Sequence, residues 1–233
     1  MSKTNVWMSV SDLMTGLMVI FLFIAIAYMS LVRKNQSVLG DYVETKQKLH
    51  DKLVNEFKAD TLQWQMAIGK DLSMKFKNPT VLFDLGDDEL KPEFMAILDN
   101  FIPRYLNILL TDSLRSRINE IRIEGHTDNI PFPSFDPDPY LANIILSQMR
   151  ALNVLRYIKS MPSYQRYTEA QKQMLEFWFT ANGLSYGKAL DKDGKYIFKY
   201  KKAIDQAKSR RVEFRIVTSG DELLENFVIK NNE

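Results

Sequence analysis

The sequence contains no cysteine among its 233 residues, which excludes disulfide bonds and thiol chemistry. Its two histidines, His50 and His126, lie far apart and have no cysteine partners, so no zinc cluster is expected. An excess of charge of one sign is also missing, because 31 basic residues are balanced by 29 acidic ones for a formal net charge of +2. Nucleic-acid-binding proteins usually carry a clustered basic face, so we predict no nucleic-acid partner.

Charged side chains are absent from the 20 residues Leu13–Val32, most of which are apolar. A helix needs ~20 apolar residues to cross the hydrocarbon core of a membrane, and this run is long enough. It is longer than the ~7–15 apolar residues of a secretory signal, and no small-x-small cleavage site follows it. We therefore predict an uncleaved membrane anchor over residues 6–32.

Asp12 is the only charged side chain within residues 6–32. A carboxylate inside such a helix costs roughly 2.5–3.5 kcal/mol, so it should face protein or water. Two interpretations remain open: Asp12 lies near the interface and reaches into water, or it binds and releases a cation partway across the membrane. Helical spacing places Thr15, Gly16 and Val19 on the face of Asp12, and such a face favours contact with a neighbouring helix.

A helical period continues beyond the anchor. Residues at spacings of three and four recur at Leu39, Tyr42, Lys46, Leu49, Leu53 and Glu56. We therefore predict a helical linker over residues 33–77. It either pairs with a second copy as a dimeric coiled coil or remains a solvated amphipathic helix.

Short strands and helices alternate beyond Pro79. The predicted strands are 80–84, 120–124, 175–181 and 211–217, and the predicted helices are 89–110 and 141–158. Pro103 is expected to kink or end the first of these helices. Residues 160–173 are predicted as a polar insertion and 184–208 as a loop. This order predicts an α+β sandwich with helices on one face of a mixed sheet.

Asp128 follows the strand at 120–124, and Arg150 lies 22 residues later in the helix 141–158. A carboxylate beside a guanidinium can bind the ammonium and carboxylate of a zwitterion. From spacing alone, the favoured interpretation is a structural ion pair with Asp128 as a turn residue. Asn143 and Ser147 share a polar helix face with Arg150.

Three motifs resemble the peptidoglycan-binding domain of the OmpA and MotB type. They are Glu124-Gly125-His126-Thr127-Asp128-Asn129, the helix segment from Asn143 to Ala151 with its L-S-x-x-R-A pattern, and Ser209-Arg210-Arg211-Val212-Glu213. The resemblance implies that Asp128 binds the ammonium of diaminopimelate in the stem peptide and Arg150 its carboxylate, with Asn143 in support. Four further motif residues complete the predicted binding set, namely Thr127, Ser147, Arg210 and Arg211. No cofactor is implied.

The chain departs from this family pattern in two respects. Ser209 stands where the family has an asparagine. The loop 131–139 and the insertion 160–173 are longer than is typical, which affects the rim of the binding pocket.

Trp7 and the segment Ser11-Asp12-Leu13-Met14-Thr15 resemble the membrane span of MotB-like stator subunits. The resemblance implies that Asp12, with Thr15 nearby, is the ion-binding carboxylate of a motor. It also implies two copies of this chain, as a homodimer, inside a pentamer of a multi-span MotA-like partner. The translocated ion, H⁺ or Na⁺, cannot be read from the sequence.

The stator resemblance also implies a topology and a domain order. Residues 1–5 are a short cytoplasmic N-terminus, 6–32 the transmembrane helix, 33–77 a periplasmic linker, 78–220 the peptidoglycan-binding domain and 221–233 a tail. The positive-inside rule alone favours the opposite orientation by a small margin, because Lys3 precedes the span while Arg33 and Lys34 follow it.

Within the stator class, the nearly bare N-terminus, the short linker and the Asp-Leu-Met-Thr-Gly segment resemble the stator subunits of the Zorya anti-phage system, which pair with ZorA. A flagellar stator and a passive membrane-to-wall tether are the alternatives. An enzyme is not expected, because no paired carboxylates or nucleophile–base motif accompany the binding residues.

Overall fold

A computed structural model describes residues 3–132 and 135–221 of the chain. The chain divides into two compact units, Met1–Glu44 and Thr45–Glu233. Elements are numbered in chain order. The helices are α1 (Lys3–Phe57), α2 (Pro79–Leu82), α3 (Pro92–Leu109), α4 (Asp112–Arg115), α5 (Pro139–Ser160), α6 (Pro162–Gln165), α7 (Glu169–Trp178), α8 (Ile197–Tyr200) and α9 (Gln206–Ser209). The strands are β1 (Met66–Ile68), β2 (Ser73–Phe76), β3 (Ile118–His126), β4 (Phe179–Gly183) and β5 (Arg211–Thr218).

In the first unit, α1 carries the predicted membrane anchor. Its stretch Val10–Arg33 is the one helical segment in the described residues that is long and apolar enough to cross a membrane. The apolar side chains of this stretch are largely exposed, as a lipid-facing or helix-facing surface requires.

The second unit is built on a five-stranded sheet with the order β1-β2-β5-β3-β4. β3 and β4 run parallel, and the other neighbouring strands are antiparallel. Alternate residues of β5 point to opposite faces, so Val212, Phe214 and Ile216 enter the hydrophobic core while Arg211 and its alternate neighbours lie on the other face. The predicted α+β class and mixed sheet are confirmed.

Aromatic rings dominate the core on the helical face of the sheet. Phe101 of α3 lies 5.2 Å from Phe76 of β2 and 5.2 Å from Phe214 of β5, measured between ring centroids. Phe57, at the end of α1, lies 5.1 Å from the same Phe101 ring. Tilted and edge-to-face rings at these distances add to the free energy of burial, so this cluster fixes α3 on the sheet.

The predicted helix over 33–77 is wrong beyond Phe57. The chain instead forms the antiparallel pair β1–β2, in which the amide of Gly69 donates to the carbonyl of Ser73 at 2.7 Å. Leu72 adopts a positive φ of 60° in this turn. Met74 and Phe76 alternate with polar residues and are both buried, a pattern typical of a strand that in the sequence directly follows a helical period.

Two further strand predictions need correction. Residues 80–84 do not form a strand; Asn78 caps the short helix α2, accepting a bond from the amide of Thr80 at 3.2 Å. The strand predicted at 175–181 begins only at Phe179, because a capping box of Thr168 and Gln171 starts helix α7 inside the predicted polar insertion. The predicted loop 184–208 contains two four-residue helices, α8 and α9.

The remaining elements agree with the sequence predictions. The strands at 120–124 and 211–217 and the helix at 141–158 lie within β3, β5 and α5. The helix predicted at 89–110 is α3, and it continues through Pro103 to Leu109 instead of ending there. Residues 1, 2, 133, 134 and 222–233, which include most of the predicted tail, lie outside the described residues.

Helix α5 lies against the sheet at two paired glycines. Gly125 of β3 and Gly183 of β4 are register partners. A Cβ added to Gly125 would overlap the carbonyl oxygen of Ser147, and one added to Gly183 would overlap the backbone of Gln148. The two glycines therefore permit the close approach that holds α5, and with it Arg150, over the ends of the strands.

Candidate functional site

A cavity of about 240 Å³ lies between the segment 79–91 and the ends of β3 and β5. Apolar side chains of the segment 79–85 form part of its lining, and most of its charged side chains are cationic, namely Lys91, Arg150, Arg210 and Arg211 against the carboxylate of Asp84. Lys91 Nζ and Asp84 Oδ1 form an ion pair at 3.0 Å, and Asp84 is largely exposed. A cavity with this charge favours an anionic group of a ligand.

Asp128 is fully buried just beyond the end of β3. Its Oδ2 accepts a hydrogen bond from Nη1 of Arg210 at 2.8 Å. Its Oδ1 accepts one from the backbone amide of Ile130 at 3.0 Å. The ion pair of Asp128 is therefore made with Arg210, while the sequence analysis had considered Arg150 as its partner.

Arg150 projects from α5 into the cavity and is 5% exposed. Its Nε donates to the carbonyl of Asp87 at 2.8 Å and its Nη2 to the carbonyl of Asp84 at 3.1 Å. The guanidinium also stacks over the ring of Phe83, 4.8 Å from its centroid. Burial lowers the pKa of Arg150 to about 10, against the attraction of the Asp128 carboxylate, so Arg150 stays charged at neutral pH.

Asn143, Thr127 and Ser147 bond to the loops that follow β3 and β4. The side-chain amide of Asn143 donates to the carbonyls of Ile130 at 2.9 Å and Pro139 at 3.0 Å, which fixes both ends of the loop 131–139. The backbone amide of Thr127 donates to the carbonyl of Ser185 at 3.0 Å. The backbone amide of Ser185 donates to Oγ of Ser147, also at 3.0 Å. In the described structure, these hydrogen bonds are all made with backbone atoms of the protein.

Arg211 and Ser209 anchor the start of β5. Arg211 is buried and donates to Oε1 of Glu213 at 2.6 Å and to the carbonyls of Ser209 and Lys188. Oγ of Ser209 donates to the carbonyl of Asp205 at 2.7 Å and accepts from the amide of Leu190 at 2.9 Å. The serine that replaces the family asparagine therefore ties the 184–208 segment to β5.

A buried cluster next to the cavity consists of Glu124, His126 and Glu213. Each residue has one atom that could bind a metal ion, and these three atoms lie within 4.8 Å of one another. Nε2 of His126 lies 3.4 Å from Glu124 and 3.7 Å from Glu213. Both carboxylates already face cations: Arg215 lies 3.3 Å from Glu124, and Arg211 lies 2.6 Å from Glu213. The donor set resembles a metal site, but its negative charge is already balanced by arginines.

Burial lowers the pKa of His126, with Arg211 acting in the same direction and the two glutamates opposing. Burial raises the pKa of Glu124, but His126, Arg215 and Lys188 outweigh burial and bring it to about 2. In the described part of the chain, neither ring nitrogen of His126 has a hydrogen-bond partner. The folded state therefore favours neutral His126 beside charged Glu124.

We expect the protein to lose stability as the pH falls below 6.5, the ordinary pKa of histidine, because the unfolded chain then binds a proton that folded His126 resists. The slope for one such group is at most about 1.4 kcal/mol per pH unit. Glu124 adds a further loss as the pH falls from 4.5 towards 2. Thermal unfolding of the detergent-solubilised chain from about pH 7 to about pH 5 measures the first effect.

His126→Gln should reduce the decline in stability over this pH range, because glutamine does not titrate. The difference between the wild-type and His126→Gln stability curves gives the contribution of His126. An equal pH dependence in wild type and His126→Gln would contradict the assignment to His126.

Sequence reasoning missed Gln148 in this region. Its side chain donates to the carbonyl of Ala181 at 3.0 Å and accepts from the amide of Gly183 at 2.7 Å, so it pairs with the edge strand β4. Lys91 and Asp84 were also absent from the predicted binding set. The sequence spacing does not indicate that Lys91 and Asp84 lie beside Arg150 and Arg210. They do so because the segment 79–91 folds over the ends of β3 and β5.

In the first unit, Asp12 is exposed on α1, and Oγ1 of Thr15 donates to the carbonyl of Ser11 at 2.8 Å. No atom of the described structure lies within 4 Å of a Cβ built on Gly16. The face predicted from helical spacing is therefore open in the single chain, as contact with another helix requires.

The chain matches no family model. It is similar over nearly its whole length to a protein of Escherichia coli, Zorya protein ZorB, with 40% identity over 225 residues that cover 92% of this chain and 88% of that protein. The chain belongs to the ZorB family. The resemblance to Zorya stator subunits noted in the sequence is thereby confirmed.

Two solved structures are also similar to this ZorB-family chain. The periplasmic domain of MotB is 18% identical, covers 69% of this chain and 70% of its own, and gives a TM-score of 0.41. The OmpA-like domain of FopA1 from Francisella tularensis is 18% identical, covers 66% of this chain and 81% of its own, and gives a TM-score of 0.35.

Proposed function

We propose that this ZorB-family chain is the peptidoglycan-anchored stator subunit of an ion-driven motor in the bacterial inner membrane, serving the Zorya anti-phage system. The observation that carries the proposal is the combination of two features in one chain. An apolar helix bears a lone carboxylate, Asp12, and a sheet domain bears a cationic cavity lined by Arg150 and Arg210. The chain acts as a binding and ion-carrying subunit, not as an enzyme.

The cavity is proposed to bind the diaminopimelate of the peptidoglycan stem peptide. Free diaminopimelate side chains carry an ammonium and a carboxylate. The guanidinium groups of Arg150 and Arg210 suit the carboxylate, and Asp84 or Asp128 offers negative charge for the ammonium. Arg211 lines the cavity, and Asn143, Thr127 and Ser147 contribute by holding the loops that follow β3 and β4.

Asp12 is proposed to carry the translocated ion, H⁺ or Na⁺, with the hydroxyl of Thr15 nearby. A carboxylate in a membrane helix suits this role when partner helices surround it, because small changes in its surroundings change its charge state. The partner is proposed to be a multi-span ZorA-like or MotA-like protein, a pentamer around two copies of this chain. No resident cofactor is needed.

The proposed topology places residues 1–5 in the cytoplasm, a single span over 6–32 in the inner membrane and the sheet domain in the periplasm. Only this orientation lets the cavity meet the cell wall while Asp12 lies in the membrane. The domain itself begins earlier in the chain than predicted, since β1 and β2 belong to its sheet.

Wall binding is tested by pelleting the full-length chain in detergent with purified peptidoglycan sacculi. Wild type should sediment with the sacculi, and both Arg150→Ala and Asp128→Ala should lose at least about tenfold in retention, as expected when a hydrogen-bonded charge is removed. Arg156→Ala is the matched control, because Arg156 lies on the same helix but is exposed and bonded to Asn153.

Circular dichroism of each variant checks that the fold persists. Arg150 donates hydrogen bonds to two backbone carbonyls, so its loss could also disturb the fold. Arg150→Lys, which retains the positive charge, is therefore included as a second variant. Unchanged sedimentation of folded Asp128→Ala and Arg150→Ala would refute the cavity as the wall-binding site.

A further inference from the structure

Two tyrosine rings are in contact at the end of the sheet where the cavity lies. Tyr186 follows β4, and Tyr140 lies in the first turn of α5. Their ring centroids are 5.5 Å apart with an interplanar angle of 79°, an edge-to-face arrangement. One ring of such a pair presents its edge to the other, so the contact covers only one of the four ring faces. The pair therefore keeps aromatic surface for a further contact.

The surface around this pair is partly apolar and open. Tyr140 is 47% exposed, and Leu141 and Ile145 on the same helix are 48% and 36% exposed. Tyr186 is half-buried beside Tyr140. Single exposed apolar residues are ordinary on a protein surface, whereas adjoining ones mark an interaction site. This surface is therefore a candidate for contact with another molecule.

The backbone fixes both rings in place. The amide of Tyr140 donates to Oδ1 of Asp138, the N-cap of α5, at 2.7 Å. The carbonyl of Ser185, the residue before Tyr186, accepts a hydrogen bond from the amide of Thr127 at 3.0 Å. Side chains on a fixed backbone lose less entropy when they bind, and this favours affinity.

The tyrosine pair and the cavity lie at the same edge of the sheet. His126 lines the cavity and ends β3, and β4 runs parallel to β3, so the chain leaves both strands at one edge. On α5, Tyr140 and Arg150 are roughly 15 Å apart along the helix axis. A ligand bound at Arg150 must therefore extend by about this distance to reach the tyrosines.

The stem peptide of peptidoglycan has a comparable reach. Diaminopimelate is its third residue, and its first residue is joined through a lactyl group to N-acetylmuramic acid. Three extended residues span ~10 Å, and the lactyl group and the sugar ring add to this length. With diaminopimelate in the cavity, the attached disaccharide comes within reach of Tyr140 and Tyr186.

A pyranose ring suits an aromatic surface. Its hydroxyl groups lie mainly around the rim of the ring, whereas its C–H groups form an apolar face that packs on the electron-rich face of a tyrosine. The tyrosine hydroxyl can also donate to or accept from the hydroxyl and amide groups of an amino sugar. A tyrosine pair therefore offers both kinds of contact that a sugar needs.

We propose that Tyr140 and Tyr186 form a second binding subsite, which packs against a sugar ring of the glycan strand while the cavity holds the stem peptide. This proposal rests on the proposed function and deepens it. The ligand is then the junction of glycan and peptide, not the peptide alone.

The test uses the full-length chain in detergent and two soluble competitors in the sacculus pelleting assay. One is the free stem tetrapeptide, L-Ala–γ-D-Glu–meso-diaminopimelate–D-Ala, and the other is the same peptide attached to N-acetylglucosaminyl-N-acetylmuramic acid. With wild type, the disaccharide should improve competition about fivefold or more, the scale of one aromatic packing contact. This comparison does not depend on the folding of any variant.

Variants locate the sugar contact. Tyr140→Ala and Tyr186→Ala should each remove most of the disaccharide advantage, while the free tetrapeptide competes within about twofold of its wild-type strength. Tyr140→Phe retains the ring and should retain the advantage. Phe198→Ala is the matched control and should also retain it, because Phe198 is an exposed aromatic residue on the segment that carries Tyr186. Circular dichroism checks the fold of each variant.

Equal competition by the two ligands, with wild type still retained by sacculi, would overturn the proposal and leave the wall-binding function standing. A disaccharide advantage that both alanine variants keep would overturn it as well. An equal loss for both ligands in these variants would show that the tyrosines support the cavity and bind no sugar.

Two further outcomes point elsewhere. A smaller oligomer of Tyr140→Ala in light scattering, with the disaccharide advantage unchanged, would overturn the proposal and assign this surface to a second copy of the chain. Absence of wild-type retention by sacculi would instead overturn the proposed wall-binding function itself, and the sugar subsite with it.

Discussion

Asp12→Asn should abolish phage protection in cells that carry the native operon, bringing plating efficiency to the level of cells without it. Asparagine has nearly the shape of aspartate but cannot bind and release a proton or carry the negative charge that attracts Na⁺. A carboxylate in a membrane helix costs roughly 2.5–3.5 kcal/mol, and the proposed ion transfer would account for its presence in this chain.

Ser11→Asn is the matched control, because it adds the same amide one residue away and on another side of α1. It should retain protection. Immunoblots of membranes establish that each variant is present at the wild-type level.

Protection by both wild type and Asp12→Asn would show that the carboxylate is structural, and would favour a passive tether between membrane and wall. No protection by wild type against a broad phage panel would remove the defence role, and swimming motility would become the assay for a flagellar stator.

Gly125→Ala should destabilise the sheet domain strongly, on the order of 3 kcal/mol or more, as overpacking against backbone does. The new Cβ would overlap the carbonyl oxygen of Ser147, and neither the interior strand β3 nor helix α5 can move without disturbing the core. Thermal unfolding of the detergent-solubilised chain measures the loss.

Gly187→Ala is the control for this substitution. A Cβ at Gly187 would meet the carbonyl oxygen of Leu184 at 3.4 Å, which is ordinary van der Waals contact. Its melting temperature should stay close to that of wild type. Equal melting temperatures for Gly125→Ala and wild type would contradict the close packing of α5 on the glycine pair.

Gly125→Ala should also weaken wall binding in any fraction that folds. The substitution would push α5 away from the sheet, and α5 carries Arg150 into the cavity. Retention on sacculi, measured at a temperature below the melting transition, separates this displacement from unfolding.

Long elements with a clear period were predictable from the sequence. Helix α5 and strands β3 and β5 have apolar residues at helical or alternating spacing, and each was found where predicted. The hairpin β1–β2 was missed because its strands are only three and four residues long and follow a helix whose period appeared to continue. Helix α7 was missed because its polar surface concealed a capping box at Thr168.

The motifs name some residues around the cavity, but neither its full lining nor its ion pairs. Asp128, Arg150 and Arg210 come from separate motifs and lie at one end of the sheet, whereas the lining residues Asp84 and Lys91 are absent from the predicted set. Sequence spacing could not show that Arg210, 82 residues from Asp128, would be the arginine that bonds to it. Ion pairs between distant segments depend on the packed geometry, which a local pattern does not contain.

The charged residues on the outer face of β5 also determine how the strand can pair. Arg211, Glu213 and Arg215 alternate along β5 with the core residues Val212, Phe214 and Ile216. A slip of one residue against β3 would turn three charges into the aromatic core and place three apolar side chains among the charged residues of the other face. Burying those charges without partners would cost several kcal/mol each, so misregistered sheets are strongly disfavoured during folding. The charged residues of β5 thus favour the native register when β5 pairs with β3.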